Sequence, residues 1–343
     1  MSNPSHRARR ILIVGVNWLG DILFMTPAIR AIRRAYPDAH LACMVPPRGL
    51  DLLTGNPHLN EIISMSEARG LRGLLQFFPL VRRLRKEKFD TVFFFHRSFS
   101  RVVAAWSAGI PVRIGYRTWK QGWLLTQAVK PLSKDSVHKV IWFLNLLHHA
   151  DIPSDGMHYD LVLSQQDEQT AQALLEEWKI SSADRIVTLH PGANWNLKRW
   201  PAQNFARLAD EIAIRFRAKV IFVGGPEDLP LVRQITARMK TEPLTATGRT
   251  TFRQSGALLK RSSVFITNDS GPLHLGLAVG APVVALFGPT VSQLSGPLNG
   301  SKSVTLVGSI GCPVPCYQLR CPANLCMEQI RVEQVLQAAE QFL

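Results

Sequence analysis

Residues 264–274 read Val-Phe-Ile-Thr-Asn-Asp-Ser-Gly-Pro-Leu-His. The apolar residues at the start of this stretch predict a buried β-strand that ends near Thr267. Ser270 and Gly271 then precede Pro272, and proline is favoured in the first turn of a helix. A strand that passes into a helix through a short polar turn is the repeating unit of parallel α/β proteins.

Short apolar runs of the same kind recur along the chain, and stretches with helical periodicity separate them. We predict buried strands at residues 11–16, 41–45, 91–95, 186–189, 220–223, 264–267, 283–287 and 304–307. Because these runs lack alternation of polar and apolar residues, helices should cover both faces of each sheet. The alternation restarts near residue 185, which predicts two doubly wound, Rossmann-like α/β domains that face an interdomain cleft.

The length of 343 residues agrees with two domains, since a domain typically has about 150 residues. We expect an N-terminal domain at residues 1–165 and a C-terminal domain at residues 183–328. No strand follows the last helix, at residues 329–343, so this helix could cross back to the N-terminal domain.

The net charge of +15 is unevenly distributed: residues 1–165 hold 22 Lys and Arg against 11 Asp and Glu, whereas residues 166–343 hold 18 against 14. This asymmetry indicates an anionic partner for the first half, and nucleic acid, an acidic membrane surface and a phosphorylated substrate all fit. No apolar run reaches the roughly 18 residues that a membrane span needs. Asn17 and Asp21 interrupt the first apolar stretch and no cleavage site follows, so we expect a cytoplasmic protein.

Ligands of open α/β sheets bind beyond the carboxyl ends of the strands, so the residues that follow each strand are the candidates. Ser270 and Gly271 would offer backbone N–H groups at a helix N-terminus, which predicts an anion site, and His274 follows one turn later. Lys198, in a loop that also contains glycine, suits a phosphate group, although this segment taken alone favours a solvated Lys198-Arg199 pair before a helix. Glu227 follows two glycines and either accepts hydrogen bonds from a ribose or simply stands in the first turn of a helix.

The loop after the first strand reads Gly15-Val-Asn-Trp-Leu-Gly-Asp21. It has neither the Gly-Lys-Ser/Thr of a Walker loop nor the three-glycine spacing of a dinucleotide site. Asp21 stands at the start of a helix, where a carboxylate either caps the helix or acts in catalysis. The spacing alone does not decide between the two roles.

These segments together resemble the ADP-heptose:lipopolysaccharide heptosyltransferases, glycosyltransferase family nine, which have the GT-B fold. The second half is most similar to the heptosyltransferase II branch. The motifs that carry the resemblance are Val16–Asp21, His190-Pro-Gly, Lys198-Arg-Trp-Pro201, Gly224-Gly225, Thr267–Gly271 with His274, and Pro282–Thr290.

The resemblance implies an inverting, metal-independent transfer of heptose from ADP-heptose to the lipopolysaccharide inner core, with no cofactor. Asp21 would then be the base that takes the proton of the acceptor hydroxyl. A single base is enough, because the nucleotide diphosphate leaves as a stabilised anion. No metal is expected, since the sequence lacks the Asp-x-Asp pair that binds Mg²⁺ in the other major glycosyltransferase fold.

The resemblance also implies a set of donor-binding residues in the second half. The departing diphosphate would be stabilised by Lys198 and by the amides of Ser270 and Gly271. Of the others, Glu227 would contact the adenosine, Asp269 the heptose hydroxyls, and His274 the phosphates or the sugar.

The basic first half is expected to face the glycolipid acceptor. Four arginines that follow the strand at residues 91–95 would meet a phosphorylated or acidic acceptor sugar: Arg97, Arg101, Arg113 and Arg117. The basic and apolar stretch at residues 69–88 predicts a helix that packs on the sheet and also contacts the cytoplasmic face of the inner membrane. Nucleic acid is disfavoured as a partner, because no known nucleic-acid-binding module is present.

Two questions stay open at the level of sequence. Four cysteines, Cys312, Cys316, Cys321 and Cys326, lie within fifteen residues, and they could bind a metal, form a redox-sensitive pair or simply pack. The donor is the second question, because a related GT-B enzyme, either a transferase that uses another nucleotide-sugar or a nucleotide-sugar epimerase, would have a similar sequence pattern.

Overall fold

The computed structural model describes residues 8–65, 70–133, 136–316, 318, 321 and 323–343. The contacts between residues divide the chain into an N-terminal unit, residues 1–162, and a C-terminal unit, residues 163–343. The division falls close to the predicted end of the first domain at residue 165. The helix that follows residue 163 belongs to the second unit.

The described part of the N-terminal unit contains one sheet of six strands in the order β3-β2-β1-β4-β5-β6, and all of its neighbouring strands are parallel. The apolar side chains of β1 and β4 are almost fully buried because helices cover both faces. The strands are β1 (Arg10–Val14), β2 (His40–Val45), β3 (Glu61–Ser64), β4 (Thr91–Phe94), β5 (Val112–Tyr116) and β6 (Gln127–Val129). The helices are α1 (Leu19–Ala35), α2 (Pro47–Leu53), α3 (Gly70–Glu87), α4 (Phe99–Ser107) and α5 (Lys139–His148).

Helix α1 continues through Pro27, which has no N–H to donate to the carbonyl of Leu23. The hydroxyl of Thr26 donates a hydrogen bond to that carbonyl oxygen instead, at 2.8 Å. This replacement keeps the buried helix intact through Pro27.

The C-terminal unit repeats the same arrangement, with its described strands in the order β12-β11-β10-β7-β8-β9. In chain order both sheets therefore run 3-2-1-4-5-6, the Rossmann order. The strands are β7 (Ile186–His190), β8 (Lys219–Phe222), β9 (Leu244–Thr245), β10 (Val264–Asn268), β11 (Val283–Phe287) and β12 (Ser303–Val307). The helices are α6 (Gln165–Glu177), α7 (Ala202–Phe216), α8 (Leu229–Thr236), α9 (Phe252–Lys260), α10 (Gly271–Ala278), α11 (Ser292–Ser295), α12 (Leu325–Glu328) and α13 (Val332–Glu340).

The last helix, α13, packs within the C-terminal unit. Its buried residues Val335 and Ala339 join the core that α7 forms with the sheet. The indole N–H of Trp200, at the start of the α7 region, donates a hydrogen bond to the carbonyl of Ile330, just before α13, at 2.8 Å. These contacts assign the helix to the second unit, whereas the sequence had left a return to the first unit open.

All eight predicted strands are present in the structure, within one or two residues of the expected bounds. In each sheet the order of strands reverses between the first strand and the fourth, which is β1 next to β4 and β7 next to β10. Ligands of such sheets bind at this reversal, beyond the carboxyl ends of the two strands. Within the described residues, none of the helices combines the length and the apolar character that crossing a membrane requires.

Candidate functional site

Asp269 lies at the strand reversal of the C-terminal unit, directly after β10, and only 4% of its surface is exposed. Its Oδ2 atom accepts a hydrogen bond from Nζ of Lys198 at 2.6 Å and another from the hydroxyl of Thr290 at 2.7 Å. Lys198 comes from the loop after β7, and Thr290 from the loop after β11. The segments that follow three adjacent strands thus contribute to one polar cluster. They lie together because the carboxyl ends of parallel strands are at the same end of the sheet.

The charge of Asp269 is stabilised by its neighbours. Burial raises the pKa of this carboxyl, but the ammonium of Lys198 and the hydrogen bonds from Lys198 and Thr290 outweigh burial. The nearby His274 acts in the same direction, so the pKa of Asp269 lies below its ordinary value. His274 itself is buried in α10. The structure therefore brings the predicted residues Lys198, Asp269 and His274 together.

Helix α10 begins beside this cluster, at the residues where the sequence predicts a helix N-terminus. Ser270 is the N-cap residue, Gly271 the first helical residue and Pro272 the second. The first N–H groups of a helix have no partner within the helix, so those of Ser270 and Gly271 lie at its positive end. Lys198 and this helix terminus together make an electropositive edge that suits a diphosphate.

A second polar cluster surrounds His190, the last residue of β7, which is only 3% exposed. Its Nε2 atom lies 3.3 Å from Oδ2 of Asp228, and its Nδ1 atom lies 3.3 Å from Oγ of Ser270. The Ser270 hydroxyl also donates a hydrogen bond to the carbonyl of Asn268 at 3.2 Å. The chain Asp228–His190–Ser270 thereby fixes the side chain at the N-cap of α10.

Two loops that contain glycine pack against the carboxylate of Asp228. A Cβ atom on Gly192 would lie 2.1 Å from Oδ1 of Asp228, and one on Gly224 would lie 2.6 Å from Oδ2. The N–H of Gly225 donates a hydrogen bond to Oδ2 at 3.1 Å. Burial raises the pKa of Asp228, but the hydrogen bond and charge of His190 outweigh it, with a further contribution from Gly225, so the pKa lies below its ordinary value.

The sequence singled out Glu227, and the structure separates this residue from the buried cluster. Glu227 is exposed, and its carboxylate folds against Gly225, since a Cβ atom there would lie 2.3 Å from Oε2. The neighbouring Asp228 is the residue that bonds to His190, and sequence reasoning assigned it no role. Asp228 follows Gly225 by three residues, which is the spacing of a helix-capping pair. This spacing is the sequence signal that points to Asp228.

Asp21 lies in the first turn of α1, in the N-terminal unit. The N-cap residue of α1 is Trp18, and no side-chain hydrogen bond caps the helix there. Asp21 instead accepts a hydrogen bond from Nζ of Lys139, the first residue of α5, at 2.9 Å. About a quarter of the Asp21 side chain remains exposed. Its carboxylate thus has one ionic partner and retains access to solvent.

Three of the four arginines predicted to meet the acceptor, Arg97, Arg101 and Arg113, are largely engaged within the unit. Arg97 stacks on the ring of Trp142, 4.4 Å from the ring centroid, and burial lowers its pKa. The guanidinium of Arg101 donates to Oδ1 of Asn17 at 2.9 Å and to the carbonyl of Gly15 at 3.1 Å. Arg101 therefore shapes the loop that leads to Asp21.

Arg113 forms hydrogen bonds with the backbone of its own unit. Its guanidinium donates to the backbone carbonyls of Leu124 at 2.7 Å and Ile110 at 2.5 Å. These bonds tie the loop after α4 to the segment that follows β5. Arg113 accordingly stabilises the fold of the unit, and its donors are directed at protein carbonyls.

The four clustered cysteines are free thiols in the structure. Within the described ranges, no group of three or more His, Cys, Asp or Glu side chains is arranged to hold a metal ion. The N–H of Cys316 donates a hydrogen bond to the carbonyl of Pro289 at 2.8 Å. A Cβ atom on Gly288 would lie 3.1 Å from Sγ of Cys326. The segment therefore packs against the loop that carries Thr290.

Comparison with known proteins identifies the family. The family model described as glycosyltransferase family 9 (heptosyltransferase) matches residues 77–325. The chain belongs to this family. The lipopolysaccharide heptosyltransferase 2 of Escherichia coli K12 is 27% identical over 307 residues, which cover 86% of this chain and 87% of that protein. A lipopolysaccharide heptosyltransferase 3 of Escherichia coli is 27% identical over 295 residues, 79% of this chain and 81% of that protein.

Solved structures of glycosyltransferase family 9 proteins have the same fold. A family 9 glycosyltransferase from Veillonella parvula superposes with a TM-score of 0.87 at 25% identity, covering 98% of this chain and 99% of that chain. The ADP-heptose lipopolysaccharide heptosyltransferase II of Escherichia coli gives a TM-score of 0.81 at 25% identity, covering 97% and 98%. The predicted GT-B fold, with two doubly wound α/β domains, is confirmed, and the protein is a glycosyltransferase family 9 enzyme.

Proposed function

We propose that this glycosyltransferase family 9 enzyme transfers heptose from ADP-heptose to the inner core of lipopolysaccharide. The observation that carries the proposal is the electropositive edge of the C-terminal unit, where Lys198 and the N-terminus of α10 lie beside the buried Asp269. A nucleotide diphosphate is the anion that such an edge suits. The names of the relatives supply the sugar and the acceptor.

Each unit takes one substrate in this proposal. Residues 183–328 bind the nucleotide-sugar, and residues 1–165 bind the glycolipid acceptor. The unit charges support this division, since residues 1–162 carry a net charge of +11 and residues 163–343 a net charge of +4. An acceptor that bears anionic groups is attracted to the more basic unit.

The donor is held by residues of the C-terminal unit. Lys198 donates one N–H to Asp269 and keeps two further N–H groups for phosphate oxygens. The amides of Ser270 and Gly271 stabilise the charge that develops on the departing diphosphate. Asp269 accepts hydrogen bonds from heptose hydroxyls, His274 lies at the phosphates or the sugar, and Glu227 contacts the adenosine.

The chemical step needs one base. Asp21 takes the proton of the acceptor hydroxyl as that oxygen attacks the anomeric carbon of the heptose, and the bond from this carbon to the diphosphate breaks. Attack on the face opposite the leaving group inverts the anomeric centre. Because ADP leaves as an anion stabilised by Lys198 and α10, the reaction needs neither a second carboxyl group nor a metal ion.

The enzyme works in the cytoplasm, on the inner face of the inner membrane. Helix α3 supports this location, because Leu75 and Phe78 are 66% and 68% exposed on a helix that also carries the exposed Arg82 and Lys86. Arg69 lies outside the described residues, as do the side chains of Leu71, Arg72 and Leu74.

Flotation with phosphatidylglycerol vesicles tests the contact of helix α3 with the membrane. Arg82→Glu/Lys86→Glu should reduce flotation, and Arg233→Glu, in α8 of the other unit, should not.

The decisive experiment is an ADP-release assay with ADP-heptose and a panel of truncated lipopolysaccharide acceptors. We expect release only when an acceptor is present, and a new heptose on the acceptor by mass spectrometry. Conversion of the donor without acceptor would identify a nucleotide-sugar epimerase instead. Turnover with a different nucleotide-sugar, and none with ADP-heptose, would overturn the donor assignment.

A further inference from the structure

The last residue of β10, Asn268, is fully buried although its side chain is polar. Strands β7 and β10 pair with Thr267 opposite His190, so Asn268 lies where the chain leaves β7. A carboxamide that is removed from water needs hydrogen-bond partners within the protein. The partners of Asn268 therefore show which segments this side chain joins.

The carboxamide of Asn268 joins the two ends of the loop that follows β7, residues 191–200. Its Nδ2 atom donates a hydrogen bond to the carbonyl of Pro191 at 2.8 Å and another to that of Gly192 at 3.4 Å. Its Oδ1 atom accepts a hydrogen bond from the N–H of Trp200 at 3.1 Å. A single buried side chain thus holds the start and the end of this loop together.

The interior of the loop is fixed by its own hydrogen bonds. The N–H of Lys198 donates to the carbonyl of Trp195 at 3.0 Å. The guanidinium of Arg199 donates to the carbonyl of Ala193 through two nitrogens, at 2.9 Å and 3.1 Å. Because the interior is ordered, the place of the whole loop on the sheet is set at its ends. The position of Lys198 consequently depends on Asn268.

The backbone of Asn268 contacts the other part of the electropositive edge. Its carbonyl accepts a hydrogen bond from the hydroxyl of Ser270, the N-cap residue of α10, at 3.2 Å. The next residue, Asp269, accepts a hydrogen bond from the ammonium of Lys198 at 2.6 Å. Asn268 therefore lies between the lysine and the helix N-terminus to which the proposed function assigns the diphosphate.

We propose that Asn268 is a positioning residue of the donor site, an assignment that rests on the proposed function. Its carboxamide holds the loop at residues 191–200 so that the ammonium of Lys198 lies at the diphosphate. An amide suits this position because it donates to a carbonyl and accepts from an N–H at the same time. An ionised aspartate could not donate to Pro191, and it would place a second negative charge beside Asp269.

ADP binding by four proteins tests whether Asn268 acts through Lys198. These are the unsubstituted full-length protein, Asn268→Ala, Lys198→Ala and the double variant, each titrated with ADP by calorimetry. Asn268→Ala should weaken ADP binding about tenfold when Lys198 is present and less than about twofold when it is absent, because a displaced loop acts through the lysine that it carries. An equal loss of ADP affinity in both backgrounds would overturn the proposal.

A control variant in the same pair of strands separates positioning from a general loss of stability. Ser262 is buried just before β10, and its Oγ atom lies 2.9 Å from Oγ1 of Thr188 in β7. Ser262→Ala should lower the Tm and leave ADP affinity unchanged. In the ADP-release assay Asn268→Ala should raise the KM for ADP-heptose about tenfold and leave the acceptor KM unchanged. A comparable loss of ADP affinity in Ser262→Ala would show that stability alone explains the effect of Asn268.

Hydrogen exchange tests the loop without any ligand. Asn268→Ser is the variant for this measurement, and it replaces Asn268→Ala in the titrations if the alanine variant does not fold. Its side chain is too short to bond to both ends of the loop, so peptides from residues 191–200 should exchange faster, and peptides from α8 should not change. Unchanged exchange in the loop would overturn the proposal. Faster exchange, with no ADP binding by the unsubstituted protein, would leave Asn268 as the residue that sets the loop and overturn the proposed function.

Discussion

Nζ of Lys198 and Oδ2 of Asp269 lie 2.6 Å apart, although the two residues are 71 positions apart in the chain. The ammonium is part-exposed, and the carboxylate is almost fully buried. Lys198 thus neutralises a buried charge of the fold, and in the proposed function its remaining N–H groups bind the diphosphate of the donor. Substitution of Lys198 affects both stability and donor binding.

Lys198→Ala should lower the free energy of unfolding by about 3 kcal/mol at neutral pH, because it leaves the Asp269 carboxylate buried without its counter-charge. Urea denaturation measures this loss. Lys260→Ala is the control, since its pair with Glu168 is much more exposed and should contribute less than about 1 kcal/mol. ADP binding should weaken only in the first variant. An equal loss of stability in both would contradict the role given to Lys198.

The same pair predicts a pH dependence. In the folded protein the pKa of Asp269 is lowered, so its stabilising contribution is present above the unfolded pKa and is lost as the pH falls through the folded value. In Lys198→Ala, burial without the ammonium should raise the pKa of Asp269 instead. The stability difference between the two proteins should therefore narrow from neutral pH towards about pH 5. A difference that stays constant would show that Asp269 is not the group concerned.

Asp21→Asn should abolish heptose transfer and leave ADP-heptose binding within about twofold, because the amide keeps the shape of the side chain but cannot take a proton. ADP release measures transfer, and calorimetry measures donor binding. Asp38→Asn, at an exposed position of the same unit, is the control and should retain full activity. Residual transfer above about a tenth of the unsubstituted rate would rule out Asp21 as the base.

The sequence predicted the strands that are mostly apolar, including β12 at one edge of the C-terminal sheet, and missed β3, β5, β6 and β9. Among the missed strands, β3 and β6 lie at one edge each of the N-terminal sheet, and β9 at an edge of the C-terminal sheet. An edge strand has one open side, so it tolerates polar residues such as Glu61 and Gln127 that interrupt the apolar pattern. β5 was missed for a similar reason, since it contains Arg113 and Gly115.

Some residues of the candidate site could likewise be predicted from the sequence, and others could not. Asp269, Ser270 and Gly271 could be predicted because they follow a strand directly and precede a helix, so local sequence determines their position. Which arginine is available for a ligand could not be predicted, because this depends on partners distant in the chain. Arg101, for example, bonds to the loop at residues 15–17.

Glu227 and Asp228 are adjacent acids with different roles, and substitution should separate them. Glu227→Gln should weaken ADP binding without changing stability, because the side chain is exposed and, in the proposed function, contacts adenosine. Asp228→Asn should lower the free energy of unfolding by about 2 kcal/mol, because it removes the charged partner of the buried His190. Thermal denaturation and calorimetry with ADP measure the two effects. Stability losses of equal size would contradict the separation.

Gly192→Ala should strongly destabilise the C-terminal unit, because its Cβ atom would lie 2.1 Å from Oδ1 of the buried Asp228. Asp228 cannot retreat without breaking its contact with His190, so a loss of about 3 kcal/mol is expected. Gly225→Ala is the matched control, because its Cβ atom meets only the flexible, exposed end of Glu227, which can move aside. Urea denaturation of both variants checks the prediction, and a loss at Gly225 as large as that at Gly192 would show that Asp228 is not held in place by the two glycine loops.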